Sequence, residues 1–223
     1  MFATLLKRAG PAIRSPGALT IVQPSPLLFT RGVKTLPANK SIYIHPLPPT
    51  PQGQAYALSY LPTYNSSATS DTSPAILGHT TAIPPTPSTF TENPAFRKTL
   101  LTILHAHAAH DPAIRAEAFA AWCGSMRRGS GKRGDYAPVN VGGFHNVIDG
   151  RVAGATGMRA VPEPQDILGS VAVDGDGQVL SDAGFEACES WRVVTADGVG
   201  QLTEYLEEKL VEALQKGQKE GSG

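Results

Sequence analysis

Asn93-Pro94 and Asp111-Pro112 constrain the fold of this chain more than any other feature. An Asn or Asp side chain accepts hydrogen bonds from the free N–H groups at a helix start. Proline fits the first helical position because its φ is already set and it has no N–H to satisfy. The two pairs therefore predict two consecutive helices, the first ending near His110. Phe96, Leu100, Ile103, Leu104 and His107 recur at spacings of three and four, which puts them on one face of the first helix. Ile114, Ala118, Phe119 and Trp122 form the stripe of the second, and Gly124 is its expected stop. So short a break predicts a helical hairpin or corner.

Strand signals lie on both sides of this pair. Ser41–His45 and Ala55–Leu61 alternate and carry β-branched and aromatic residues, so they read as a hairpin with a long proline-stiffened loop. Ala75–Ile83 is a third strand candidate, beyond a Ser/Thr-rich loop at Asn65–Ser73. Tyr136 to Met158 is rich in glycine and reads as an irregular excursion. Val161–Gly169 gives a turn and a short helical step. Val171–Val173 and Gln178–Leu180 flank Asp174-Gly-Asp-Gly177, a four-residue hairpin loop. Trp191–Thr195 reads as the best single strand. A helix is expected from about Val199 to Lys216, with Val199, Leu202, Leu206, Leu210, Ala213 and Leu214 on one stripe. Glu204, Glu208 and Glu212 repeat at intervals of four. That spacing destabilises an isolated helix and asks for compensation, which the basic segment after Gly124 could supply.

Charge is divided unevenly along the chain. The formal net charge is zero over 223 residues, yet no acid occurs before Asp71. Lys7, Arg8, Arg14, Arg31 and Lys34 lie in the first 34 residues, which leaves 14 basic against 19 acidic side chains elsewhere. An acid-free, basic, hydroxyl-bearing opening with Phe2, Leu5 and Leu6 beside Lys7 and Arg8 has the composition of a mitochondrial transit peptide, with cleavage near Arg31. An acidic remainder is not built for general nucleic-acid binding. Cys123 and Cys188 are far apart and form no CxxC, which fits a reducing compartment. No run of ~18 uninterrupted apolar residues predicts a membrane span.

Several motifs fail on inspection. GSGKR lacks the earlier glycine of a P-loop, has Arg133 where a Ser or Thr would hold magnesium, and follows a helix. The DGDG stretch has Phe185 at the twelfth position of a calcium loop, where a Glu is needed. Gly198 and Gly200 are followed by Thr203 where a dinucleotide fingerprint needs a third glycine, so capping by Asp197 or Thr195 is expected there. His105 and His107 sit ~200° apart on a helix and cannot share a metal. His107, His110 and Asp111 are the remaining weak metal candidates, and the expected metal and cofactor content is none. His145 and Asp149 share a spacing of four that has no meaning outside a helix. The prolines of PLPPTP and IPPTP read as stiffeners of strand connections rather than as a PPII ligand.

These observations predict an α+β domain over residues 40–216, behind a transit peptide at 1–34 and ahead of a disordered tail at 217–223. A small, mostly antiparallel sheet would be covered by the central helix pair and the C-terminal helix, with long Pro/Gly-rich loops. The expected function is a soluble, non-catalytic accessory protein of the mitochondrial matrix that binds a larger protein assembly, without a membrane span. Two alternatives have their own residues. A small matrix enzyme or ligand-binding protein would use His107, His110, Asp111 or His145. A ribosome- or RNA-associated factor would use Arg127, Arg128, Lys132 and Arg133 to contact phosphates.

Overall fold

The computed structural model describes residues 34–49, 53–63, 73–129, 142–153 and 162–220. They belong to one compact unit. Its first sheet is antiparallel and strictly sequential: β1 (Lys34–Thr35), β2 (Tyr43–Pro46), β3 (Tyr56–Ser59), β4 (Ile76–Thr80) and β5 (Phe90–Glu92). The expected hairpin is present, with Tyr43 opposite Ser59 and Pro46 opposite Tyr56. The two short outer strands have no period long enough to be read from sequence. The transit-peptide segment lies outside the described residues apart from Lys34, which already belongs to β1. The Asn65–Ser73 loop lies outside them except for Ser73.

α1 (Pro94–His107) starts where Asn93 predicts, with its Oδ1 accepting from the Ala95 N–H at 2.9 Å. The Asn93 amide also donates to the carbonyls of Ser73 and Ile76, so one side chain fixes the helix start against the sheet. A 3-10 turn, Ala108–His110, leads to Asp111 and then α2 (Pro112–Gly129). Phe96, Leu100 and Leu104 are buried along the α1 stripe. α1 is the central element, touching β4 on one side and α4 (Glu204–Glu220) and β8 (Phe185–Ala187) elsewhere. The fold is therefore α+β, a small antiparallel sheet with packed helices, as the sequence predicts.

Five expectations are corrected. Gly124 does not stop α2, because an αL stop needs positive φ and Gly124 keeps a helical one. Part of the segment read as irregular is a strand, β6 (Gly143–Ile148), followed by the short helix α3 (Gly150–Ala153). β6 pairs with β7 (Ile167–Val173), which pairs with β8. The glycines around β6 hid it, and only the long partner β7 makes its pairing favourable. Trp191–Thr195 is not a long strand: only β9 (Val194–Thr195) is, paired with β10 (Gly198–Val199). The Val193 carbonyl accepts the Gly200 N–H, which continues the β9–β10 pairing by one rung, and also the Arg151 guanidinium, so the segment pairs only with its own return and not with a larger sheet. Because Gly198–Val199 are used in β10, α4 starts five residues later than Val199. Thr203 caps it, its hydroxyl accepting from the Leu206 N–H at 3.3 Å. Leu206, Leu210 and Leu214 of the predicted stripe are buried, Ala213 is half-buried, and Val199 and Leu202 lie before the helix. Of the three glutamates, Glu212 is compensated by Lys209 at 3.0 Å. The helix also covers 217–220 of the expected tail.

The DGDG loop closes as a hairpin: Asp174 N–H donates to the Gln178 carbonyl, and Asp174 Oδ1 accepts from the N–H groups of Asp176 and Gln178. Trp122 of α2 lies across this loop and donates to the Gly175 carbonyl at 2.9 Å. A Cβ at Gly177 would sit 2.5 Å from Trp122, and its φ of +76° also favours glycine.

The remaining loops meet at a buried ionic cluster. The Arg151 and Asp149 side chains are within 1% of complete burial, and that of Asp166 is within 3%. Arg151 Nε donates to Asp166 Oδ1 at 2.9 Å, and the rest of its guanidinium reaches the carbonyls of Gln165, Val193 and Gly198. Asp149 accepts from the Arg151 and Gln201 N–H groups and from Trp191 Nε1 at 2.9 Å. One guanidinium thus joins the turn before β7, the start of α3 and the β9–β10 hairpin. Removing one partner of a buried ionic network leaves an uncompensated charge, at a cost of about 3–5 kcal/mol. Arg151→Met is therefore expected to lower unfolding free energy by about that amount in urea denaturation. Asp149→Asn, which keeps an acceptor for some of these donors, should cost less, about 1–3 kcal/mol.

Candidate functional site

The sequence candidates around Asp111 converge on one surface, but not as ligands. Asp111 is fully buried and caps α2, with Oδ1 accepting from the N–H groups of Ala113 (2.7 Å) and Ile114 (3.4 Å). Its Oδ2 accepts the hydroxyl of Thr203, the residue that caps α4. One carboxylate therefore holds the starts of two helices, and both of its oxygens are engaged. His107 packs edge-on against Tyr205, ring centroids 6.1 Å apart. His110 is exposed at the end of the 3-10 turn. The change from α to 3-10 winding after His107 breaks the shared face that the spacing predicts. Among the described residues no three His, Cys, Asp or Glu side chains are grouped to hold a metal ion.

Beside Asp111 an open groove of about 320 Å³ runs between the starts of α2 and α4, lined by Pro112, Ala113, Thr203, Glu204, Tyr205 and Glu208. Nearby Glu117 is pushed up from its ordinary value, first by burial and then by the Asp111 charge. The groove is acidic, which follows from Glu204 and Glu208 lying on the same side of α4.

α2 itself presents the least ordinary surface. It is buried along Ile114 and Ala118 only, up to the point where Trp122 crosses the hairpin. Ala113, Ala116 and Ala120 follow each other at spacings of three and four on the opposite side and are exposed. Phe119, expected in the core, is instead 43% exposed and stacks on Trp122 at 5.6 Å. A surface helix normally carries its charges on the side away from the core. Here Arg115 and Glu117 stand at the borders of an apolar outer face. The stripe was legible in the sequence; its two-sidedness was not, because alanine serves either side.

Arg127 and Arg128 fall in the last turn of α2, not in a loop, while Lys132 and Arg133 lie outside the described residues. His145 stands on the inner side of β6, opposite Val171, and its Nε2 is buried without a hydrogen-bond partner among the described residues. Asp149 belongs to the ionic cluster. Arg151, Asp166 and Trp191, which complete that cluster, were not singled out by any sequence motif. No protein-family model, curated protein or solved structure matches this chain.

Two measurements test this geometry. Asp111→Ala removes the cap of α2 and leaves the Thr203 hydroxyl without its acceptor, so urea denaturation should show a loss of about 1–3 kcal/mol. Burial pushes His145 below its ordinary value of 6.5. The unfolded chain then binds the proton more readily than the folded one, so stability is full above pH 6.5 and declines as pH falls below it. His45, also lowered by burial, acts in the same direction. Glu117 acts oppositely and in a lower window, losing stability as pH rises above 4.5. The urea midpoint should therefore fall between pH 7 and pH 5, and His145→Val should flatten that decline.

Proposed function

We propose that this chain is a non-catalytic accessory protein of the mitochondrial matrix that docks onto a larger protein assembly through the outer face of α2. The observation that carries the reading is the exposed run Ala113, Ala116, Phe119 and Ala120 on a helix whose other side is already buried. Apolar area of this kind gains stability when covered, at roughly 25 cal/mol per Å². Alanines let a partner element approach closely, Phe119 offers an anchor, and Arg115 and Glu117 fix register at the rim. The acidic groove beside Ala113 extends the surface and favours a partner with a basic border. No helix among the described residues is long and apolar enough to cross a membrane.

Affinity purification of the tagged chain from mitochondria is expected to recover a fixed set of partner proteins. Ala116→Glu together with Phe119→Lys should reduce that recovery at least about tenfold, the equivalent of 1.4 kcal/mol. Their circular dichroism should be unchanged, because both positions are exposed. Sedimentation of the endogenous protein as a lone species would overturn the reading.

Localisation has its own test. Lys34–Thr35 pair with β2, and Leu36 is buried, so removal of residues beyond Lys34 would cut into the sheet. The N-terminus of the protein isolated from mitochondria should therefore lie after the basic leader and no later than Lys34. An intact Met1 on the mitochondrial protein would contradict transit-peptide removal.

A further inference from the structure

The two larger sheets have four edge strands, and one of them differs from the rest. β1, β5 and β8 are two or three residues long and carry Lys34, Glu92 and Glu186. Short length and charge are the usual protections of an exposed strand edge against pairing. β6 is six residues long, GFHNVI, with no Lys, Arg, Asp, Glu or Pro. Among the described residues β7 is its only neighbour in the sheet.

The open face of the same sheet is apolar at that edge. Val147, Val171 and Phe185 point inward and are buried, with Phe185 against the His105 ring. By alternation Phe144 points outward, and it is 71% exposed. Its register partner is Ala172, and Leu180, itself 42% exposed, donates its N–H to the Ala172 carbonyl at 2.9 Å. Phe144, Ala172 and Leu180 therefore form one row across the sheet and end at an edge that no described strand covers.

We propose that β6 pairs with β6 of a second copy of this chain, antiparallel about a two-fold axis normal to the sheet. An antiparallel strand edge is complementary to itself in its backbone hydrogen bonds, and such a dimer closes without leaving a new edge. A neutral strand brings no like charges together across the axis. The axis also keeps both Phe144 rings on the same face, so each copy supplies the large apolar side chain that the other's open face lacks. The joined sheet has six strands and ends on the two charged β8 edges. This pairing uses a different surface from α2, so it stands or falls separately from the docking reading.

The test is sedimentation equilibrium of the full chain over the micromolar range. The expected result is a reversible species of twice the 23.4 kDa chain mass. Phe144→Lys and Asn146→Lys each place like charges near the axis on the open face, and each should weaken the dimer at least about tenfold with unchanged circular dichroism. Glu186→Lys, on the opposite edge of the same sheet, should leave it unaffected. Hydrogen exchange of β6 amides should slow with rising protein concentration while that of β8 does not. A single-chain mass across the whole range would overturn the proposal. So would a dimer that responds to Glu186→Lys but not to Phe144→Lys, or β6 exchange that is independent of concentration.

Discussion

The described structure depends on one guanidinium. The Arg151 side chain is shielded from bulk solvent, so it satisfies its donors with protein oxygens, which come from Gln165–Asp166, Val193 and Gly198. The cluster holds two carboxylates against one cation, an excess of negative charge that neutral donors offset. The indole N–H of Trp191 and the N–H groups of Arg151 and Gln201 all point at Asp149. Space is equally constrained: a Cβ at Gly200 would lie 2.9 Å from Asp149 Oδ2 and 3.1 Å from the Trp191 ring. Buried ions are weak evidence for net stability, because desolvation consumes much of the attraction. Their effect here is on specificity of arrangement: chain segments with little regular structure acquire one conformation because only one satisfies every donor.

A second polar link, at the surface end of the core, sets the placement of the helices. Asp111 caps α2 and accepts the hydroxyl of Thr203, which caps α4. Helix starts fixed this way leave α2 anchored at Asp111 and again where Trp122 crosses the DGDG hairpin. Between these points only Ile114 and Ala118 are needed for packing. That economy leaves the other side of the helix open, and its lack of charge is what connects the fold to the docking reading.

The parts legible in the sequence are those governed by local chemistry. Asn93-Pro94, Asp111-Pro112, the α1 stripe, the leucines of α4 and the DGDG loop all act within a few residues of themselves, and each appears in the structure as read. The misread parts are those where a distant group competes for the backbone. Trp191–Thr195 has every strand propensity, but it pairs only with its own short return at Gly198–Gly200, and the Val193 carbonyl is shared with Arg151. β6 has poor local signals and is a strand because β7 offers five consecutive partners, Val173 to Gly169, and a sixth, Ile167, past a register shift. The histidines drew attention by number, yet His107 packs on Tyr205 and Asp111 has no free oxygen. For the candidate surface, sequence gave the residues of α2 but put Phe119 on the wrong side.

Local sequence was enough to place the starts of α1 and α2, the buried leucines and the DGDG turn, because capping, periodicity and turn chemistry are properties of neighbours. Only the tertiary arrangement decided which carbonyls meet Arg151, which face of α2 stays open and which strands stand at the edges of the described sheets. Those outcomes depend on groups far apart in the chain being satisfied together in the absence of water, and no local pattern records that requirement.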